Sequence, residues 1–191
     1  MATKVGILTA GSDSPGVNAA IRGFGKAAQG SFNMEVIGFR DGYEGLVEDH
    51  ATDLSAEAAL SGILTLGGTI LGTSLNMPQA MPSPSGPANL TQQAVDTYHR
   101  HNLDALVVIG DKRAQNAAYL LSQQGLNVVT MPKAANNDIP GTDKAIGYDS
   151  AREIATQAID RLHTTATATH RIMLVELIGN AAGWLTLGAG L

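Results

Sequence analysis

Residues Lys4 to Ala28, KVGILTAGSDSPGVNAAIRGFGKAA, hold the first arrangement in the chain that could do chemistry. A short apolar run, Val5–Leu8, leads into a loop of small residues, Thr9-Ala10-Gly11-Ser12-Asp13-Ser14-Pro15-Gly16, and a helical pattern begins at about Val17. Such a turn gathers bare backbone N–H groups at a helix N-terminus, where the helix dipole favours an anion. The expectation is an anion-handling site with a phosphate-bearing ligand as its occupant. One glycine-rich loop is weak evidence alone, because glycine serves any tight turn. The histidines His50, His99, His101, His163 and His170 show no metal-ligand spacing. The chain has no cysteine, so disulfides, thiolate metal sites and cysteine nucleophiles are excluded.

A loop of this kind needs a frame. Strand-like runs occur at Val5–Leu8, Glu35–Phe39, Leu106–Ile109, Val128–Met131 and Ile172–Leu177. Most are short, β-branched and nearly continuous, as in strands buried on both faces of a parallel sheet. Helical patterns lie between them at Val17–Ala28, Thr91–His99, Ala114–Gln124 and Ser150–Leu162. This alternation predicts an α/β fold: a parallel sheet with helices on both faces, right-handed crossovers, and ligands at the carboxyl ends of the strands. Met77–Leu90 is rich in proline and serine and reads as an exposed loop. Pro140-Gly141 suggests a boundary between a phosphate-donor domain, 1–139, and a partial second domain, 140–191. The apolar end around Trp184-Leu185-Thr186-Leu187 has no later helix or strand to bury it, which predicts a truncated form or dependence on another subunit.

Composition narrows the class. Hydrophobic residues make up 44% of the 191 residues and charged residues 15%, which suits a globular domain. A formal net charge of −5 with no basic block argues against nucleic acid or an anionic membrane as the main partner. No apolar run reaches membrane-spanning length and none near the N-terminus suits a signal peptide, so a cytoplasmic location is expected.

Several loops together resemble those of 6-phosphofructokinases. They are Thr9 to Gly23, Asp41-Gly42-Tyr43-Glu44-Gly45-Leu46, Gly67-Gly68-Thr69-Ile70-Leu71-Gly72-Thr73-Ser74, and Asn137-Asp138-Ile139-Pro140-Gly141-Thr142-Asp143 followed by Ile146-Gly147. With Ala158-Ile159-Asp160-Arg161-Leu162 and Val175-Glu176, they occur in the family's order and spacing and cover essentially the whole chain. The chain looks like the N-terminal half to two-thirds of such an enzyme, with a Rossmann-type layered fold and a second domain that is incomplete. The resemblance implies phosphoryl transfer from ATP or pyrophosphate to fructose 6-phosphate, with Mg²⁺, within a homo-oligomer or with a missing C-terminal segment. Such transfer relies on positioning and charge neutralisation.

The resemblance also assigns roles, and several fail on residue type. Gly11, Gly67, Gly68, Thr69, Gly72, Thr73 and Gly110 match donor-binding positions, and Tyr43 matches a residue near adenine. Ser12 replaces a family glycine. The metal-orienting aspartate aligns with Lys112 and its neighbouring glycine with Arg113, while Asp111 sits one position early. The proton-accepting aspartate aligns with Asn136 and a substrate-binding threonine with Ala134; the second aspartate, Asp138, persists. A carboxamide keeps the shape of the acid without its basicity. Two phosphate-gripping arginines align with Leu75 and with Asn180, in Ile178-Gly179-Asn180, whereas Arg171 persists at a sugar-phosphate position. Lys133 looks more like pyrophosphate-using members. The resemblance thus implies a phosphofructokinase scaffold that is inactive or severely impaired. A non-catalytic phosphate- or nucleotide-binding or assembly subunit, or an engineered fragment, is the alternative.

Overall fold

The computed structural model describes residues 2–179 and 181–191. Its centre is a five-stranded sheet in the order β3-β2-β1-β4-β5. The strands are β1 (Lys4–Ala10), β2 (Glu35–Phe39), β3 (Ala51–Asp53), β4 (Ala105–Gly110) and β5 (Val128–Pro132). The helices are α1 (Val17–Phe32), α2 (Tyr43–Glu48), α3 (Thr91–Arg100), α4 (Lys112–Gln123), α5 (Tyr148–Thr169) and α6 (Trp184–Gly190). β2, β1, β4 and β5 are mutually parallel. β1 and β4 are central and read as unbroken apolar runs because both their faces are covered.

Alternation along these strands divides the core in two. Leu8, Phe39, Leu106 and Val108 pack with Tyr43, Leu46, Tyr98, Ala117 and Leu121 of α2, α3 and α4. Ile7, Val36, Val107 and Ile109 pack on the other face with Val17 and Ile21 of α1 and with Leu60 and Leu71. Fully burying one such aliphatic side chain stabilises the fold by ~1.5–3 kcal/mol. The expected fold, a sheet with helices on both faces, is therefore present.

Three features differ from the sequence expectation. β3 pairs antiparallel to β2, through Ile37↔Asp53 and Phe39↔Ala51. After α2 the chain turns straight back beside β2, with the Arg40 N–H donating to the His50 carbonyl at 3.1 Å, so it re-enters the sheet running the other way. β5 is an edge strand, and Val129 is 54% exposed rather than buried. Ile172–Leu177 forms no strand: Ile172 and Leu174 are 99% and 98% exposed. A strand needs a neighbour for its backbone N–H and C=O groups, and no described strand lies beside this segment. Its two-residue alternation survives, with Met173, Val175 and Leu177 half-buried.

Candidate functional site

The sheet register brings three loops to one level. Ala10 pairs with Gly110, and Gly110 pairs with Pro132, so β1, β4 and β5 end together at their carboxyl ends. From there run the loop 11–16, the start of α4, and the loop 133–147. A parallel bridge from Lys133 to Ile146 returns the last loop to the sheet. Asn137 holds its turn at φ 53°, donating from Nδ2 to the Asp143 carbonyl at 3.0 Å and accepting from the Ala145 N–H at 2.7 Å. Ser14, nearly buried, donates to the Ile146 carbonyl at 3.0 Å and ties loop 11–16 to the same turn.

Asp111 is the N-cap of α4. Its Oδ1 accepts from the Arg113 and Ala114 N–H groups, each at 3.0 Å, which is why the helix starts two residues before the apolar pattern does. Its Oδ2 accepts from the Ser12 N–H at 3.3 Å. One carboxylate thus bridges the first loop and the α4 N-terminus. Gly11, at φ +90°, makes room for it: a Cβ there would stand 2.2 Å from Oδ2. Lys133 lies beneath, only 1% exposed, and its Nζ donates to the Ser12 carbonyl at 2.6 Å. Burial pushes the Lys133 ammonium below its ordinary pKa, while the Asp111 and Asp13 carboxylates partly offset that.

These groups open onto a cavity of about 520 Å³, whose walls include Ser12, Asp13, Asp111, Lys112, Arg113 and Lys133. The loop 133–138 supplies Ala134, Asn136 and Asp138, and Ile178 completes the wall. Lys112, Asn136 and Asp138 all line this cavity. Lys112 is the exposed first residue of α4; Asn136 and Asp138 are half-buried and Ala134 is buried.

A second loop, 66–74, is stapled to the same strand ends. Asn18, 3% exposed, donates to the Leu66 carbonyl at 3.0 Å and accepts from the Ile70 N–H at 2.8 Å. Thr9 donates to the Gly72 carbonyl and lies 3.2 Å from the Thr69 hydroxyl. The Thr73 hydroxyl donates to the Gly11 carbonyl at 2.7 Å, and the Gly11 N–H to the Ser74 carbonyl at 2.8 Å. Gly72 is required by space as well as by its φ of +68°, since a Cβ would meet Asp41 Oδ1 at 2.2 Å. Gly67 and Gly68 are on the open part of this loop, away from the cavity walls.

Further residues assigned from the resemblance have definite places in the fold. Tyr43 is fully buried and donates to the Ala114 carbonyl at 2.7 Å, so its ring has no face to offer a nucleotide. Burial, helped by the Asp111 charge, raises its phenol pKa far above the ordinary value. Asp111 serves as a helix cap, with both its oxygens accepting from backbone N–H groups. Arg171 is exposed just past α5 and does not line the cavity, and neither does Gly179, although its neighbour Ile178 does. Asn180 lies outside the described residues. Gly110 ends β4, where its carbonyl accepts the Lys133 N–H at 2.9 Å.

Three carboxylates, Asp13, Asp111 and Asp138, line the cavity beside Lys112, Arg113 and Lys133. Among the described residues no three His, Asp or Glu side chains gather closely enough to hold a metal on their own. Mg²⁺ here would depend on one or two of these carboxylates together with donor phosphates, next to three cations that oppose it. Sequence reasoning missed the structural roles of Asn18 and Ser14. A buried polar residue following a turn is the only signal that marks them, and it is too common to be specific.

Known proteins share this fold. A family model described as phosphofructokinase matches residues 4–191. An ATP-dependent 6-phosphofructokinase of Propionibacterium freudenreichii is 52% identical over all of this chain and 51% of its own length. One of Spirochaeta thermophila is 49% identical over 97% of this chain and 52% of its own. The chain spans about half the length of these curated relatives. Among solved structures, a phosphofructokinase of Saccharomyces cerevisiae superposes with a TM-score of 0.87 at 29% identity, over 98% of this chain and 28% of that one. A pyrophosphate-dependent phosphofructokinase of Marinobacter aquaeolei shares the fold, with a TM-score of 0.79 at 20% identity.

Proposed function

The chain belongs to the phosphofructokinase family, and we propose that it is the donor-binding part of a scaffold whose transfer to fructose 6-phosphate is lost or severely impaired. The cavity where β1, β4 and β5 end receives the phosphoryl groups of ATP or pyrophosphate. The names of the two curated relatives given above, both ATP-dependent, favour ATP as the donor. Residues 1–139 act as the donor domain, and 140–191 begin the sugar-phosphate side.

The observation that carries the reading is that Asn136 and Lys112 face one cavity. Transfer needs a base to take the proton of the attacking hydroxyl, and loss of such a base costs ~10²–10⁴ in rate. The Asn136 amide accepts no proton at neutral pH. Bound Mg²⁺ would supply charge neutralisation between donor and acceptor oxygens. Here Lys112, Arg113 and Lys133 supply positive charge directly, which holds phosphate in place without organising an in-line transfer.

A coupled assay of the purified chain with fructose 6-phosphate and either donor tests this. The expected result is no bisphosphate above background. Turnover in the range of ordinary kinases, ~1–100 s⁻¹, would overturn it.

A further inference from the structure

We infer that Asp111 is an internal occupant of the phosphate cradle and determines which anions can enter it. The inference rests on the proposed reading of this cavity as a phosphoryl-donor site. A donor phosphate would be held by backbone N–H groups of loop 11–16 and of the α4 N-terminus. Three of those N–H groups are already engaged by Asp111. Ser12 donates to one Asp111 oxygen at 3.3 Å, and Arg113 and Ala114 donate to the other at 3.0 Å.

Two further observations show that the carboxylate is built in. Gly11 lacks the Cβ that would stand 2.2 Å from Asp111 Oδ2 and 2.3 Å from its Cγ. The neighbouring cation is equally fixed: Lys133 is 1% exposed, with its Nζ on the Ser12 carbonyl, and its charge interacts with Asp111 and Asp13. The chain's own anion and cation therefore balance one another within the cradle. An incoming phosphate meets a carboxylate where it needs donors, and it must either swing Asp111 out or settle on the outer cations Lys112 and Arg113. Asp111 thus disfavours compact phosphate and favours polyanions long enough to engage both the outer cations and the cradle.

The test is calorimetry of the whole chain with inorganic pyrophosphate and with orthophosphate, comparing wild type, Asp111→Gly and Asp111→Asn. Asp111→Asn keeps a capping oxygen and the shape of the side chain, so it reports on charge if the glycine variant folds poorly. Asp160→Asn, an equal change of charge on exposed α5, is the control. The expected result is a gain in pyrophosphate affinity of about tenfold or more for Asp111→Gly, as the repulsion is removed and the donors are freed. Asp111→Asn should gain less and Asp160→Asn nothing, and orthophosphate should gain more than pyrophosphate. Pyrophosphate binding by wild type that neither Asp111 variant tightens overturns the inference and leaves the donor-site reading standing. No phosphate binding by any variant overturns both.

Discussion

Changing Gly11 to alanine tests the geometry of the cradle quantitatively. The residue sits at φ +90°, and a left-handed backbone costs a non-glycine residue ~1–2 kcal/mol. The new Cβ would also lie 2.2 Å from Asp111 Oδ2, so the carboxylate must leave its N–H partners. Losing such a cap costs ~0.5–2 kcal/mol. Gly11→Ala should therefore destabilise the chain by about 1.5–4 kcal/mol, which for a chain of this size is a fall of roughly 3–16 °C in Tm. Asp111→Gly removes the clash in advance, so alanine at position 11 then costs only the backbone term. A double-mutant cycle, followed by urea unfolding, should give a coupling of about 1–2 kcal/mol. Additivity within ~0.3–0.5 kcal/mol would refute the claim that Gly11 exists to seat Asp111.

Away from the cradle, burial alone would raise the Asp49 carboxyl, but hydrogen bonds and charge from His101 and Arg100 outweigh it and hold the pKa below the ordinary 3.8. Its stabilisation is complete above the unfolded value and lost as pH falls through the lower folded one. Asp49→Asn should then cost ~0.2–1 kcal/mol at neutral pH and nothing in strong acid, as read from urea midpoints against pH. Lys133 has the opposite sign. Its folded pKa lies below 10.5, so its charge costs stability at neutral pH and that cost is relieved as pH rises through the folded value. Lys133→Met should abolish this alkaline gain, measured between about pH 8 and about pH 10.

How far the sequence foretells the structure depends on where each element finds its partners. β1, β2 and β4 were legible because their apolar runs are set by burial in a parallel sheet, whereas β5 was legible from its β-branched run although Val129 lies exposed at the edge. Ile172–Leu177 carries an equally clear pattern, yet no described strand pairs with it, since a run of residues states only its own half of a pairing. β3 and α2 were hidden by their shortness. The motif order placed Lys112, Asn136 and Asp138 on loops at the strand ends, and all three line one cavity. The seat of Asp111 did not follow from that order, because Asp-Lys-Arg reads equally as a helix cap or as a misplaced ligand until the Ser12 N–H is placed against it. Tyr43 shows the converse. A tyrosine beside a glycine turn looks available, but its hydroxyl is committed to the Ala114 carbonyl inside the core.

The central claim, that transfer is lost at Asn136 and Lys112 while the scaffold is kept, is tested most directly in a chimera. This chain would replace the corresponding half of the Propionibacterium freudenreichii relative, and fructose 1,6-bisphosphate formation would be followed with ATP and with pyrophosphate. The account predicts a rate at least ~10²–10⁴-fold below the parent's, with recovery only when Asn136→Asp and Lys112→Asp are introduced together. Parental activity in the unaltered chimera would contradict it.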